Sequence, residues 1–163
     1  MMEKIQIVTP VYNEEKNIYT TIENFFKEYS NNKFEISFII SEDGSTDNSI
    51  NIINELKKIY DIKLLSSPER KNYTDAVLIG LREANSNIIS FVDSDGQYDP
   101  KDLKRLYDNL KPGKIVVGYR YPRVDNIFRL FISGSFKRLY QFLLKIELNY
   151  DISTVTYLSL IHI

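Results

Sequence analysis

Short apolar runs rich in β-branched residues alternate along the chain with longer stretches whose apolar positions recur at helical spacing. Residues 4–9 (KIQIVT) read as a first strand, which Pro10 is expected to stop. Residues 14–29 read as a helix with Ile18, Ile22, Phe25, Phe26 and Tyr29 on one face and Asn13 placed to cap it. Residues 35–41 (EISFIIS) form a second strand. The turn Asp43-Gly44-Ser45 follows, and Asp47 is placed to cap a helix that runs to Tyr60. Residues 62–65 are a short third strand, and residues 73–84 a helix with Ala76, Leu81 and Ala84 as packing residues. Residues 88–92 (IISFV) are a fourth strand, Pro100 opens a helix through Leu110, and residues 114–118 (KIVVG) are a fifth strand. This alternation predicts the α/β class, an open, mostly parallel sheet with helices on both faces. Ligands of such sheets bind beyond the carboxyl ends of the strands. The loops to inspect are therefore 10–14, 42–47, 93–99 and 119–125.

Residues 127–146 differ from the rest. Arg129, Ser133, Lys137, Gln141 and Lys145 recur every fourth position, with Phe128, Leu130, Phe131, Phe136, Leu139, Phe142 and Leu143 between them. The pattern is an amphipathic helix with a basic stripe. It suits either packing on its own domain or lying at an anionic lipid surface. Charge follows the same division. Residues 1–113 hold 14 basic and 19 acidic side chains, whereas residues 114–163 hold 7 and 3. The chain of 163 residues has a net charge of −1, which argues against a general nucleic-acid binder. The length suits one domain with one core. No Cys and a single His, His162, leave no material for thiolate chemistry, a disulfide framework or a multi-histidine metal site. The opening MMEKIQIVTPVYNEE has no secretory pattern, and no run of roughly 18 apolar residues occurs. The expected location is cytoplasmic.

The best local constellation is Asp93-Ser94-Asp95. Residues two apart in an extended segment point to one side, so both carboxylates can face one divalent cation. Oxygen ligands suit Mg²⁺ or Mn²⁺, and Gln97 adds an uncharged oxygen. Such a cation bridges phosphate oxygens and neutralises a departing diphosphate. The blander alternative is an acidic turn after a strand. Asp43 suits a base or a ribose as hydrogen-bond acceptor, although capping and turn formation also account for it. Glu42-Asp43 resembles the acidic pocket of a phospho-receiver domain, but the order of the remaining residues fits that poorly. Arg120, Arg123 and Arg129 follow the fifth strand and suit phosphate, with solvated surface charge as the alternative for each alone. Gly-x-Gly-x-x-Gly and Gly-x-x-x-x-Gly-Lys-Ser/Thr are both absent, which turns the reading away from hydride transfer and ATP hydrolysis.

Three linked segments carry a family resemblance: Ile7-Val8-Thr9-Pro10-Val11-Tyr12-Asn13-Glu14-Glu15, Glu42-Asp43-Gly44-Ser45-Thr46-Asp47, and Phe91-Val92-Asp93-Ser94-Asp95-Gly96-Gln97-Tyr98-Asp99-Pro100. In order and spacing they resemble the family 2 glycosyltransferases, over about residues 3–145. Within that family the chain is most similar to the dolichyl-phosphate mannosyltransferase-like and polyprenyl-phosphate glycosyltransferase branch. Gly118-Tyr119-Arg120 followed by Arg129 resembles that branch's phosphate-binding arginines. The resemblance implies a GT-A (Rossmann-like) fold, a nucleotide-sugar donor (GDP- or UDP-linked) and Mg²⁺ or Mn²⁺. Carried over by position, Pro10, Tyr12, Asn13 and Glu14 line the nucleotide pocket and Asp43 holds the base or ribose. Asp93 orients the donor, Asp95 and Gln97 ligate the metal, and Arg120 and Arg129 hold phosphate. Asp93, Asp95 and Arg120 are thus the expected catalytic set.

The implied activity is inverting transfer of a hexose to a polyprenyl phosphate, with a peripheral contact to the cytoplasmic membrane face. A sugar hydroxyl of a glycan as acceptor, a non-catalytic nucleotide-sugar-binding module and a nucleotidyltransferase are the rivals. Residues 1–150 are expected to form the catalytic domain with its acceptor side incomplete. Residues 151–163 are set apart as an atypical, truncated tail.

Overall fold

The computed structural model describes residues 3–30, 34–111, 115–118, 138 and 156–160. The elements run β1 (Glu3–Val11), α1 (Ile18–Tyr29), β2 (Phe34–Asp43), α2 (Ser49–Leu56), β3 (Ile62–Ser67), α3 (Tyr73–Arg82), β4 (Ile88–Phe91), α4 (Pro100–Asp108), β5 (Ile115–Gly118) and β6 (Thr156–Leu160). The strands lie in the order β3-β2-β1-β4-β6-β5. β1 pairs in parallel with β2 and with β4, in registers such as Val8↔Ile39 and Ile5↔Ile88, and β2 pairs in parallel with β3. β6 runs antiparallel to β4 with Ile88 opposite Leu160, so part of the segment set apart as a tail lies in the sheet. The chain divides into two compact units, residues 1–116 with 157–163, and residues 117–156. In the second unit, the described residues are Val117, Gly118, Arg138 and Thr156.

Period-two alternation sends successive side chains to opposite sides of the sheet. Ile5, Ile7 and Val11 of β1, Ile36, Phe38 and Ile40 of β2, and Ile88 of β4 meet Ile18, Ile22 and Phe25 of α1. Ile53 and Leu56 of α2 and Leu103 and Leu106 of α4 complete this cluster. Phe38 is its centre of aromatic packing, 5.7 Å from the Phe25 ring and 5.6 Å from the Phe26 ring. Tyr29 ties α1 to α4: its hydroxyl donates to Pro100 O at 2.5 Å and accepts from Lys104 N at 2.9 Å. Burial is the main reason its pKa is raised to about 12. On the opposite face Val8, Ile39 and Ile89 form a smaller cluster under α3. α3 approaches so closely that a Cβ on Gly80 would lie 2.5 Å from Val8 Cγ1.

Several boundaries differ from the sequence reading. Pro10 does not stop β1, which continues to Val11. The N–H and C=O of one strand residue point to the same side, and Val8 O accepts from Val92 N, so the even residues of β1 point toward β4. β4 ends at Phe91, level with Val8, and Pro10's missing N–H therefore falls where the ladder has already finished. Asn13 does not cap α1. That helix begins at Ile18 after a turn in which Glu14 O accepts from Asn17 N and Ile18 N. α2 ends at Leu56 and α4 at Asp108, earlier than expected, and Leu81 is exposed instead of packed. The predicted helix over residues 127–146 lies outside the described residues except for Arg138, which is helical and exposed.

Candidate active site

A parallel sheet ordered 3-2-1-4 reverses direction at β1 and β4, and the crevice beyond their carboxyl ends is the expected ligand position. A cleft of about 440 Å³ lies there. The end of β1 lends it Pro10, Val11, Tyr12 and Glu14, and the end of β2 lends Asp43. Asp93, Ser94 and Asp95 follow β4, Arg70 comes from the β3–α3 loop, and Tyr73 and Ala76 from α3. The alternation that places Val8 and Ile39 beneath α3 also carries Pro10 and Asp43 to that face.

The acidic turn after β4 is anchored by its middle residue. Ser94 is buried, its hydroxyl donates to Pro10 O at 3.0 Å, and its carbonyl accepts from Thr21 Oγ1 at 3.3 Å. With Ser94 fixed inward, Asp93 and Asp95 both line the cleft, although in a turn instead of an extended strand. Both Asp93 oxygens are engaged: Oδ1 accepts from the Tyr73 hydroxyl at 2.7 Å and Oδ2 from the Tyr98 hydroxyl at 3.3 Å. Burial, then the bond to Asp93, raises the Tyr73 pKa above the usual tyrosine range, so the hydroxyl stays a donor. Asp95 Oδ1 accepts from Gln97 N at 3.0 Å.

Asp43 is buried at the β2 end, and its Oδ1 accepts from Lys71 N at 2.8 Å. This bond holds the β3–α3 loop against β2. Gly44 makes the approach possible: its φ is +71°, and a Cβ there would stand 2.7 Å from Arg70 N. The loop in turn sets the Arg70 guanidinium 3.8 Å from the centre of the Tyr12 ring, at cation–π distance. Glu42, next to Asp43, is buried and structural: it accepts from Ser45 N and, at 2.7 Å, from Ser66 Oγ.

Of the residues expected from sequence, the cleft gathers Pro10, Tyr12, Glu14, Asp43, Asp93 and Asp95. Asn13 and Gln97 do not line it. Asn13 Oδ1 instead accepts from Thr46 N at 2.8 Å, and Gln97 is exposed. Arg120, Arg123 and Arg129 lie outside the described residues. Sequence reasoning missed Arg70, Tyr73 and Ser94 as site residues. Ser94 carried a signal as the middle residue of the Asp-x-Asp pair, and Arg70 and Tyr73 as members of the loop 70–76 that corresponds to the family's donor loop.

Among the described lining residues stand four carboxylates and one guanidinium. Such a cleft repels a diphosphate unless a cation intervenes. The donors are oxygens only, a set that fits Mg²⁺ or Mn²⁺. Among the described residues no group of three or more Asp, Glu, His or Cys side chains converges on one point. A divalent cation in this cleft would be held by the Asp93 and Asp95 side of its lining.

The family model described as glycosyl transferase family 2 matches residues 6–158. The undecaprenyl-phosphate 4-deoxy-4-formamido-L-arabinose transferase of Proteus mirabilis is 31% identical over 131 residues, 78% of this chain and 40% of that protein. The match thus covers about two fifths of the length of this curated relative. The structure of glucosyl-3-phosphoglycerate synthase from Mycobacterium tuberculosis with Mn²⁺, UDP-glucose and phosphoglyceric acid superposes with a TM-score of 0.68 at 20% identity, over 96% of this chain and 56% of that one. A Pyrobaculum calidifontis mannosyltransferase solved with GDP-Man and Mn²⁺ gives 0.50 at 22% identity, over 56% of this chain and 27% of that one. These likenesses establish the shared GT-A fold.

Proposed function

Because the chain belongs to glycosyl transferase family 2, we propose that it binds a nucleotide-diphospho-sugar in the cleft and transfers the sugar, read from sequence as a hexose, to a polyprenyl phosphate with inversion. The observation that carries this reading is the convergence of all three sequence motifs on one cleft: Tyr12, Asp43, and the pair Asp93 and Asp95. Tyr12 offers a ring face to the base, Asp43 Oδ2 accepts from base or ribose, and Asp93 orients the sugar end. Asp95 supplies the carboxylate oxygen for a divalent cation, which when bound neutralises charge on the departing diphosphate.

In the transfer an acceptor oxygen bonds to the anomeric carbon as the bond to the diphosphate oxygen breaks. A phosphate acceptor arrives already anionic, and no general base is then needed. The acceptor assignment is supported by the curated relative, whose name specifies undecaprenyl phosphate. Arg120 and Arg129 are assigned to phosphate on the sequence resemblance. Among the described residues no helix is long and apolar enough to cross a membrane. The proposal includes peripheral contact with the cytoplasmic membrane face, through the basic stripe in the sequence of residues 127–146.

Incubating the chain with labelled GDP- and UDP-sugars and polyprenyl phosphate tests the reading. The expected product is a solvent-extractable sugar phosphate lipid with release of nucleoside diphosphate. A water-soluble glycan product would move the acceptor to a sugar hydroxyl, and nucleotide binding without turnover would make the chain a binding module.

A further inference from the structure

The loop after β1 and the loop after β2, together with Ser49 at the start of α2, are joined by five hydrogen bonds of one kind: a side chain on one side accepts from a backbone N–H of the other. Three consecutive amides of the first loop donate to the second, Asn13 N to Ser45 Oγ at 3.1 Å, Glu14 N to Ser49 Oγ at 2.8 Å and Glu15 N to Asp47 Oδ2 at 3.0 Å. Two amides of the second loop donate back, Thr46 N to Asn13 Oδ1 at 2.8 Å and Asn48 N to Glu15 Oε2 at 3.0 Å. Asp47 also accepts from Ser49 N at 3.0 Å. Burial works against the Asp47 charge, yet these donated bonds hold its carboxyl below the usual range. Asn13 stands at φ +54°, a left-handed position that asparagine tolerates better than most residues.

Of these clasping residues, only Glu14, which takes part through its backbone, lines the cleft. Tyr12 and Asp43, the residues that flank the clasp, both do. We infer that Asn13, Glu15, Ser45 and Asp47 are positioning residues: they lock the two loops into one body that presents Tyr12 and Asp43 in a fixed relation before any ligand arrives. The inference rests on the cleft being a nucleotide site, as proposed above. It also assigns the amides of Asn13, Glu14 and Glu15 to the clasp, so the phosphate charge is met elsewhere in the site.

The test combines amide hydrogen exchange of the ligand-free chain with titration of UDP and GDP in Mn²⁺. Asn13→Gly removes the side-chain acceptor without opposing the positive φ, and Ser45→Ala cuts the clasp from the other loop. In a positioning clasp, Asn13→Gly speeds exchange at Thr46 and also at Glu14, Glu15 and Asn48, whose own acceptors remain. Nucleotide affinity falls by about tenfold through lost preorganisation. Ser45→Ala gives the same pattern, and Asn13→Asp, which keeps Oδ1, restores both readouts. Weakened binding with exchange raised only at Thr46 would overturn the inference and make Asn13 a direct ligand contact. Opened loops with unchanged affinity would overturn it from the other side. Failure of the wild-type chain to bind either nucleotide would sink the donor reading and the affinity claim with it, while exchange alone would still decide whether the clasp is cooperative.

Discussion

The two faces of the sheet are built for different ends. The face under α1, α2 and α4 is a largely apolar layer, from Ile5 and Phe38 to Leu103 and Leu106, interrupted by the buried hydroxyls of Thr9 and Ser90. Among the described residues the sheet face under α3 holds three buried apolar residues, Val8, Ile39 and Ile89, and its β2 positions run Ser37, Ile39, Ser41 and Asp43. The first face reaches the cleft through Val11, whereas the second ends there in Pro10 and Asp43, with Tyr73 and Ala76 of α3 opposite them. Apolar packing is therefore concentrated on one side and the carboxylates of the cleft on the other. The link between them is backbone register, because a residue's face follows from its odd or even position.

The largest expected effect separates the two faces most sharply. Phe38→Ala removes a ring that is 1% exposed and packed on two others, and should cost about 3–5 kcal/mol in chemical denaturation. The fraction that stays folded should bind nucleotide as before. Weakened binding by that fraction would mean that the apolar face also shapes the cleft.

Gly80→Ala probes the other face. Its Cβ would meet Val8 Cγ1 at 2.5 Å, so either the buried Val8 side chain or α3 must shift, at a cost of about 1–3 kcal/mol. Tyr73 and Ala76 ride on α3, and nucleotide affinity should fall more than stability does. Unchanged affinity would show that α3 can move without the site noticing.

Tyr29 gives a pH test confined to the apolar face. Its folded pKa is raised to about 12, mainly by burial, against about 10 for an unfolded tyrosine. Its contribution is fully present below about pH 10 and is lost as pH rises through the folded value. The unfolding midpoint should therefore drop between about pH 10 and 12, and Tyr29→Phe should reduce that slope to the part left by Tyr73 and Tyr107, whose values are also raised. An equal slope in the variant would place the titration elsewhere.

The smallest effect belongs to neither face. Lys58 and Glu55 pair at 2.7 Å with side chains 67% and 70% exposed, and Lys58→Ala should change stability by less than about 0.5 kcal/mol. A larger loss by calorimetry would mean that the division between faces omits a surface network.

The fold was legible because strand and helix periods are local. Every described strand from β1 to β5 coincides with an apolar run. The errors fall where tertiary context decides. Pro10 stays in β1 because β4 ends early, and Leu81 is exposed because Ala76 and Gly80 bring α3 close on another side. The site was partly legible for the same reason. Tyr12, Asp43, Asp93 and Asp95 sit at strand ends, where topology directs attention. Arg70 and Tyr73 reach the cleft only because a loop packs on Gly44 and a helix on Val8, contacts that no spacing in the sequence announces. Asn13 was read as a pocket residue for its neighbourhood with Tyr12, but its side chain turns to the other loop.

The central claim is that the polar end of the α3 face is a metal-dependent nucleotide-sugar site. Its most direct test is equilibrium binding of the chain to a panel of GDP- and UDP-sugars, with Mn²⁺ and with chelator, alongside Asp95→Ala. The account predicts that one nucleotide class binds with Mn²⁺, that chelator removes most of the affinity, and that Asp95→Ala abolishes the metal dependence. Absence of binding to every donor by a demonstrably folded chain, or binding indifferent to both metal and Asp95, would contradict it.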